Sequence, residues 1–470
     1  MVQYLTYVTL FFNRTLRYYW LFMQNVTQSF IKKLSQPVSP LSLGLFRAVF
    51  GCILAFHVLE QIPSIHQNFI VPRFFFTYPF LELIKPWPDA GMYTHYLFLL
   101  ICALGITCGI FYRLFLVSFL VAYSYTFLID ISYYKNHHYL MILITLLLIF
   151  IHADQKFTLP KPRIPKPCYY WNIAVLRFQF CVVYFFAGIA KLNYDWFHGE
   201  PLIYLLQKGL ANRGSLWQTL SQQEWFIASF TTGGLLIDLM APFLLLMRKT
   251  RMPTAIIVII FHLINFNIFP NIKPFALVML ASLILFFDPD WPKIFRGISN
   301  FRRAPEIALD TILSVPAKPS ALVKIGLAIY CLLQIALPLR HYFYEGDTLW
   351  TSRGERFTWR MVLQREKAEI MYYLTDPATK HTWEIDPVND LSLRQFVVMR
   401  TRPEMVLQYA HYLRDRAQQT GIKNPEVRVH NTHSLNGRPY QLKIDPQTDL
   451  SKIGPWDNYM NWVLPFNRSF

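Results

Sequence analysis

Residues 171–192 read WNIAVLRFQFCVVYFFAGIAKL, a mostly apolar run that ends next to a lysine. A helix of roughly 20 residues crosses a hydrocarbon core of about 30 Å, so this run predicts a transmembrane helix. Similar runs follow one another along most of the chain and predict about nine spans. Several are short, which favours bent or partly buried helices. The predicted spans are 41–62, 93–111, 114–129, 139–151, 171–192, 225–247, 254–269, 275–287 and 323–339.

The composition is typical of an integral membrane protein. The 470-residue chain is 54% hydrophobic and only 16% charged, whereas soluble domains carry about 25% charged residues. Its net charge of +17 does not indicate nucleic-acid binding, because lysine and arginine lie in short loops between the apolar runs. We therefore expect the lipid bilayer as a partner and no nucleic acid.

The loops predict the orientation of the bundle. With the N-terminus in the cytoplasm, Arg113 and the basic loops at 156–166, 248–251 and 293–318 all fall on the cytoplasmic side, as the positive-inside rule requires. Nine spans then place the C-terminal domain outside the cytoplasm, across the inner membrane if the source is bacterial. The predicted fold is an all-α polytopic membrane bundle followed by a small extracytoplasmic α+β domain.

Three segments divide the chain in this interpretation. Residues 1–40 are basic and aromatic, which favours a cytoplasmic helix on the membrane surface or else a disordered tail. Residues 41–339 form the transmembrane bundle, and residues 340–470 form the outer domain. The elements predicted in the outer domain are strands at 370–375, 381–385, 427–430 and 440–444 and a helix that opens at 402–404 and runs through 416.

The six cysteines include no CxxC pair. The sequence therefore predicts neither a disulfide framework nor a zinc site, and we expect no metal. It contains no P-loop, dinucleotide fingerprint or nucleophile elbow either.

Ionisable residues inside apolar runs are costly in a bilayer and usually mark a cavity, a partner or a functional site. The antiparallel fourth and fifth spans bring two of them, His137 and Lys191, to the same depth facing the outer domain. The residues of this kind are His137 and His138 at the start of the fourth span, Arg177 and Lys191 in the fifth, Asp238 in the sixth and His262 in the seventh.

Each of these residues also has a structural interpretation. Lys191 can extend its amine to the membrane interface, and His137 can be a polar cap. Arg177 and Asp238 can form an ion pair inside the bundle. His262, with Asn265 in the next turn, can form a hydrogen-bonded helix interface or a pocket wall.

Several strings, taken in order, resemble segments of the vitamin K-dependent gamma-glutamyl carboxylases, whose membrane part is an HTTM-type domain. The resemblance covers about 43–291 well and 359–449 more faintly. Animal members continue beyond a chain of this length, which suggests a short bacterial member. The strings are FFAGIAKLNYDW at 185–196, LID at 128–130 with NHHYL at 136–140, YYWNIAVLR at 169–177, GGLLID at 233–238 and FHLINFNIFPNIKPFALVML at 261–280.

The resemblance implies an activity and two catalytic residues. The family's lysine, here Lys191, takes a proton as a neutral amine from vitamin K hydroquinone. Oxygenation of the quinol to its epoxide yields a strong base that deprotonates a glutamate, and CO2 adds to the carbanion. The family's histidine, here His137, assists that carboxylation step. A lysine with a reference pKa near 10.4 must be desolvated to serve as a base, and the end of an apolar helix provides such a place.

The same resemblance predicts the remaining site and the co-substrates. The co-substrates are vitamin K hydroquinone or menaquinol, O2 and CO2, with no metal, and the partners are a membrane quinol and a glutamate-containing peptide or protein. The chain would be a carbon–carbon lyase of the peptidyl-glutamate 4-carboxylase type. The pocket candidates are Asn136, Tyr139, Asp195, Trp196, His262, Asn265, Arg177 and Asp238.

Two other functions stay open at this point. One is a quinol epoxidase without a protein glutamate substrate, and the other is a non-enzymatic bundle that binds a lipid or quinone. The tract before Trp359, RGERF at 353–357, is polar where animal carboxylases are aromatic and apolar. This departure puts binding of the glutamate peptide in doubt more than it does the quinol chemistry.

Overall fold

The computed structural model describes residues 28–29, 31–159, 166–269, 272–297 and 320–468. Most of the described chain is helical. The membrane part contains α1 (Leu41–Gln61), α2 (Ala90–Cys108), α3 (Tyr112–Ile129), α4 (Asn136–Phe150), α5 (Tyr170–Ala190), α6 (Tyr194–Phe197), α7 (Leu202–Leu210), α8 (Ser215–Leu220), α9 (Glu224–Leu246), α10 (Arg251–Ile268), α11 (Lys273–Phe286) and α12 (Ala321–Leu339).

Among the described residues, seven helices are long and apolar enough to cross a membrane. They are α1, α2, α3, α5, α9, α10 and α12. Each of the nine predicted spans falls on a helix, but α4 has 15 residues and α11 has 14. At 1.5 Å per residue these two rise only about 21–23 Å, and most of their side chains are buried in the bundle. Nine spans therefore remain a prediction.

The outer surface of the bundle is apolar. Leu97 and Ile101 on α2, Ile256 and Ile260 on α10 and Leu332 on α12 are all exposed. A soluble protein rarely exposes so much apolar surface, whereas in a bilayer these side chains contact acyl chains. Helices also satisfy their own backbone hydrogen bonds, as a lipid environment requires. The chain is an integral membrane protein.

A buried arginine fixes the packing of α1 against α2. The guanidinium of Arg47 donates to the carbonyl oxygens of Ile106 at 2.7 Å and Thr107 at 2.6 Å, and also to those of Lys156 and Phe157. The first two carbonyls belong to the last turn of α2, where intrahelical donors run out. Arg47 therefore satisfies the end of α2 and holds α1 in register beside it.

The C-terminal region contains a small antiparallel sheet with the strand order β4 (Thr382–Ile385), β3 (Glu366–Thr375), β5 (Glu426–Leu435) and β6 (Gln441–Leu442). The predicted strands and the helix that opens at 402–404 are confirmed, and the tight turn between β5 and β6 uses positive φ angles at Asn436 and Gly437. The elements of this region are α13 (Thr348–Thr351), β3 (Glu366–Thr375), β4 (Thr382–Ile385), α14 (Leu393–Met399), α15 (Pro403–Gln419), β5 (Glu426–Leu435) and β6 (Gln441–Leu442).

This region docks on the end of the bundle where α4 begins and α5 ends. Asn136 donates to the carbonyl oxygen of Arg360 at 3.1 Å. The amide of Gln395 on α14 donates to Asp130, which follows α3, at 2.7 Å. The two parts of the chain therefore meet at the depth where the catalytic residues are predicted.

Most of the predicted interfacial segment at 1–40 lies outside the described residues. Near its end, β1 (Pro37–Val38) pairs antiparallel with β2 (Cys168–Tyr169). The two short strands bring the start of α1 next to the start of α5.

Candidate active site

Lys191 caps the C-terminal end of α5 and is buried, with 5% of its surface exposed. Helices α5 and α9 approach closely here, because a Cβ on Gly188 would lie 2.9 Å from the backbone nitrogen of Leu239. Across this contact the amine of Lys191 donates to a carboxylate oxygen of Asp238 on α9 at 2.5 Å. The amine does not extend to the membrane interface, so that structural interpretation of Lys191 is wrong.

Asp238 is the charged partner of the amine, and a backbone carbonyl and an aromatic ring also lie close to it. The amine nitrogen lies 3.3 Å from the carbonyl oxygen of Ala187 and 5.1 Å from the centroid of the Trp196 ring. The Lys191–Asp238 pair has no net charge, whether the shared proton is on nitrogen or on oxygen. Only the form with the proton on Asp238 has an amine lone pair that can accept a proton from a substrate.

The predicted ion pair between Arg177 and Asp238 is wrong. Arg177 lies about four helical turns before Lys191 and donates to the carbonyl oxygens of Leu285 at 2.6 Å and Phe287 at 3.0 Å, where α11 ends. Arginine offers five donors and therefore suits a helix end with unpaired carbonyls. Arg177 fixes the packing of α5 against α11 and does not belong to the lysine site.

Two residues that follow Lys191 have different surroundings. Trp196 is buried and donates from its indole nitrogen to the carbonyl oxygen of Thr231 at 3.0 Å, so its ring forms one wall beside the amine. Asp195 instead faces the C-terminal region, where Arg438 contacts both of its carboxylate oxygens, at 2.6 and 2.9 Å, and Asn436 donates at 2.7 Å.

This contact fixes the charge of Asp195. Burial acts to raise the pKa of its carboxyl, but the hydrogen bonds from Arg438 and Asn436 outweigh burial and leave the pKa below its ordinary value. Asp195 is therefore an ionised link between the membrane bundle and the turn after β5. Its partners are on the C-terminal region, so it anchors the two parts rather than lining the space beside the amine.

A second polar contact lies on the same face of α5, two turns before Lys191. The hydroxyl of Tyr184 is 2.7 Å from Nε2 of His262 on α10, and both residues are buried. Residues 184, 188 and 191 share one helical face, so this contact and the Lys191–Asp238 pair follow one line along the bundle. Asn265 is partly buried one turn beyond His262.

His137 lies in the first turn of α4 within a different cluster. Its ring is perpendicular to that of His138, with centroids 4.5 Å apart, and it lies 5.5 Å from the ring of His57 on α1. All three imidazoles are buried. Adjacent residues of an α-helix point about 100° apart, yet the rings of His137 and His138 both face His57. We name these three residues the histidine cluster.

The two other candidates on α4 face the C-terminal region. The Tyr139 ring stacks on Trp359 with centroids 5.1 Å apart, and its hydroxyl accepts from Gln334 on α12 at 3.2 Å. Asn136 accepts from the Tyr134 hydroxyl at 2.9 Å and contacts Arg360, as described above. These contacts place the start of α4 against the segment that precedes β3.

A shallow surface depression lies where α5, α12 and the C-terminal region meet, and its lining includes Phe186, Ala190, Leu339, Thr358 and Arg360. The depression has apolar helix walls and a polar wall from the C-terminal region. It adjoins the helix end that carries Lys191, although the amine points toward α9.

Two family models match the chain. The HTTM domain matches residues 35–291, which is more than half of the chain. The vitamin K-dependent gamma-carboxylase lumenal domain matches residues 319–469. The chain belongs to the vitamin K-dependent gamma-carboxylase family with an HTTM membrane domain. No solved structure matches it.

The family match gives the two parts of this carboxylase-family protein their names. The HTTM domain contains α1 to α11, with both Lys191 and His137. The lumenal-domain match begins ahead of α12 and includes the sheet and the partners of Asp195. Both candidate residues lie at the end of the HTTM domain that meets the lumenal-domain region.

Two buried residues near the candidate site of this carboxylase-family protein, His57 and Tyr184, were not identified from the sequence. His57 lies inside the first apolar run, and an ionisable residue in a span is the signal that identifies it. Tyr184 has no such signal, because tyrosine is common in membrane helices. Its contact with His262 depends on which helices pack together.

Proposed function

We propose that this protein is a vitamin K-dependent carboxylase that couples quinol epoxidation to carboxylation of a peptide glutamate. In balanced form, hydroquinone, O2, a glutamate side chain and CO2 give the quinone epoxide, γ-carboxyglutamate and water. The observation that carries the proposal is the buried Lys191–Asp238 contact of 2.5 Å inside a carboxylase-family HTTM domain. A lipid-binding or transport bundle has no need of an amine enclosed in this way.

The role that we propose for Lys191 is to accept the first proton from the quinol. Catalytic bases are effective when they are held in a dry, preorganised place, and Trp196 and the backbone of α5 exclude water from this amine. The reactive form has the shared proton on Asp238, so that Nζ is a neutral amine, and its lone pair takes the quinol proton when the amine turns away from the carboxyl O–H. The ammonium that forms is then next to the quinol anion.

The role that we propose for His137 is in the second half of the reaction. Its helix begins where the bundle meets the lumenal-domain region, at the contact of Asn136 with Arg360. In this proposal a peptide glutamate approaches this helix end from the side of the lumenal-domain region, whereas a quinol with an apolar tail enters between helices. An imidazole can donate a hydrogen bond to a carboxylate as its charge develops.

The direct test is an assay of purified wild-type protein in detergent or lipid with chemically reduced vitamin K, labelled CO2 and a glutamate peptide. We expect quinone epoxide and peptide-bound label to form together, each dependent on O2. Epoxide without any label would favour the epoxidase-only function. Neither product, with menaquinol also tested, would contradict the proposal.

We also propose that the N-terminus is cytoplasmic and that the lumenal-domain region is extracytoplasmic, as the loop charges predict. A cysteine at the exposed position Ala378, in the turn between β3 and β4, should react with a membrane-impermeant maleimide in intact cells. A cysteine at the exposed Lys249, between α9 and α10, should react only after permeabilisation. The protein without an introduced cysteine controls for labelling of the six native cysteines. The opposite labelling pattern would contradict this orientation.

A further inference from the structure

The loop that leads into α2 exposes large apolar side chains. Phe80 is 82% exposed, Leu83 is 96% exposed and Trp87 is also exposed. Trp456, in a loop of the lumenal-domain region, is exposed as well, and its ring stacks on that of Phe80 with centroids 5.5 Å apart. Single exposed apolar residues are common, but this stacking joins two distant parts of the chain in one patch. We name Phe80, Leu83, Trp87 and Trp456 the apolar rim.

Contacts with α3 fix the position of this loop relative to the bundle. The Tyr78 ring stacks on that of Phe127, with centroids 6.0 Å apart. The hydroxyl of Tyr125 donates to the carbonyl oxygen of Lys85 at 2.6 Å, and the Tyr125 ring lies 5.6 Å from that of Trp87. Tyr125 lies one helical turn before the end of α3, about 6 Å along the helix axis. The loop therefore runs beside the last turn of α3 and not beyond the end of the helix.

The apolar rim continues the lipid-facing surface of α2. Trp87 comes just before this helix, which begins at Ala90. Exposed apolar residues then follow along α2 at spacings of three and four, which is the periodicity of one helical face. The loop at the start of this face therefore lies at the level of the lipid headgroups. The exposed residues of this face are Tyr93, Leu97, Ile101 and Leu104.

We propose that the apolar rim inserts into the interfacial layer of the bilayer, in the leaflet on the side of the lumenal-domain region. Tryptophan favours this layer because its ring is apolar and its indole N–H can bind water or a headgroup. Residues 80–87 contain one acid, Glu82, and one base, Lys85. The loop therefore has no net charge that would oppose its contact with headgroups.

The position of the rim favours lipid over a soluble protein partner. A soluble partner reaches surfaces that project beyond the headgroups, whereas this loop lies beside the last turn of a membrane helix. Lipid also requires no complementary groove, and Leu83, at 96% exposed, does not line one. The occupant is therefore the bilayer that already covers the adjoining face of α2.

Trp456 extends the contact to the lumenal-domain region. It lies in a short loop in which Asp457 accepts from the backbone nitrogen of Gly454 at 2.7 Å. Through Trp456 this region contacts the bilayer directly, in addition to the contact of Arg438 with Asp195 at the end of α5. Two separate attachments then hold the lumenal-domain region against the membrane.

Insertion of the rim goes beyond the proposed function and is independent of it, because an inactive protein can be tested in the same way. The test uses the full-length protein with Leu83→Cys or Trp456→Cys, labelled with an NBD fluorophore, in phosphatidylcholine nanodiscs that hold one chain each. Lipid with a doxyl group on the upper acyl chain should lower the emission at both positions at least about twofold, since interfacial segments are buried by about 5–10 Å. Iodide in the aqueous phase should quench both labels weakly.

Ala378→Cys is the matched control. Ala378 is exposed in the turn after β3, and β3 has 10 residues, so this turn is about 30 Å from the end of the strand that lies near Asn436. This label should be quenched by iodide and not by the doxyl lipid. The labelled protein without an introduced cysteine gives the background from the six native cysteines.

The three labels distinguish the outcomes. Emission at Leu83 that is insensitive to the doxyl lipid would overturn the proposal, and so would equal lipid quenching at Ala378. If that insensitive label is also shielded from iodide, the rim is covered by protein and not by lipid. Lipid quenching at Leu83 without quenching at Trp456 would contradict the attachment of the lumenal-domain region to the bilayer.

Discussion

Lys191→Ala is expected to lower quinone epoxide formation by roughly 10²–10⁴-fold, the range that a general base contributes. Carboxylation should fall with it, because the strong base that deprotonates glutamate is produced by quinol oxygenation. Lys191→Arg should not restore activity, since a guanidinium stays protonated. The measurement is epoxide formed from reduced vitamin K by variants that are monodisperse and melt cooperatively.

Asp238→Asn is the matched control for this prediction, because it removes the negative charge from the same buried contact and retains the amine. Loss of one partner from a buried ion pair costs about 3–5 kcal/mol of stability, so both variants carry a comparable folding burden. Asparagine has the shape of a protonated carboxyl, the form in which the Lys191 amine is neutral. We therefore expect Asp238→Asn to retain epoxidation within about tenfold of wild type.

The comparison separates catalysis from structure. If Lys191→Ala and Asp238→Asn lose epoxidation equally, the contact is a structural ion pair and the amine has no catalytic role. If Lys191→Ala is folded and as active as wild type, Lys191 is not the base. Only a loss that follows the amine, and not the carboxylate, supports the proposed chemistry.

The membrane helices were predictable because their signal is local. An apolar run such as 171–192 has the length that a bilayer requires, and α5 forms there. The count of spans is harder, because α4 and α11 are apolar but short. Burial inside the bundle and passage through lipid both select apolar residues, so hydropathy alone does not separate them.

The pairing of the polar residues was not predictable, because it depends on which helices are neighbours. Arg177 and Asp238 have opposite charges and lie on consecutive long helices, yet Asp238 contacts Lys191 at the end of the same helix that carries Arg177. Asp195 follows Lys191 closely in the chain, but its arginine partner is 243 residues away. Long-range contacts of this kind leave no periodicity in a single sequence.

The position that His137 and Lys191 share at one end of the bundle could be predicted only in part. Antiparallel α4 and α5 do place both residues at the end that meets the lumenal-domain region. However, His137 packs against His57 and His138, and Lys191 packs against Asp238 and Trp196. Depth in the membrane follows from topology, whereas the direction of a side chain around its helix depends on packing.

Because His137 and Lys191 lie in separate clusters, we expect His137 to affect carboxylation and not epoxidation. His137→Ala should reduce fixation of labelled CO2 into a glutamate peptide by at least ~100-fold, the cost of losing one donor to a developing anion. Epoxide formation should stay within about tenfold of wild type, since Lys191 and its neighbours are unchanged. Both products are measured in the same detergent sample.

Variants of neighbouring histidines show whether the effect belongs to His137 alone. His95→Ala lies outside the histidine cluster and should leave the ratio of label to epoxide unchanged. His138 is adjacent in the chain, and its ring lies 4.5 Å from that of His137. A His138→Ala ratio close to wild type assigns the carboxylation step to His137, whereas an equal selective loss assigns it to the cluster as a unit. Parallel loss of both products in His137→Ala would contradict the division of labour, because an imidazole that serves only the glutamate cannot be needed for quinol oxygenation.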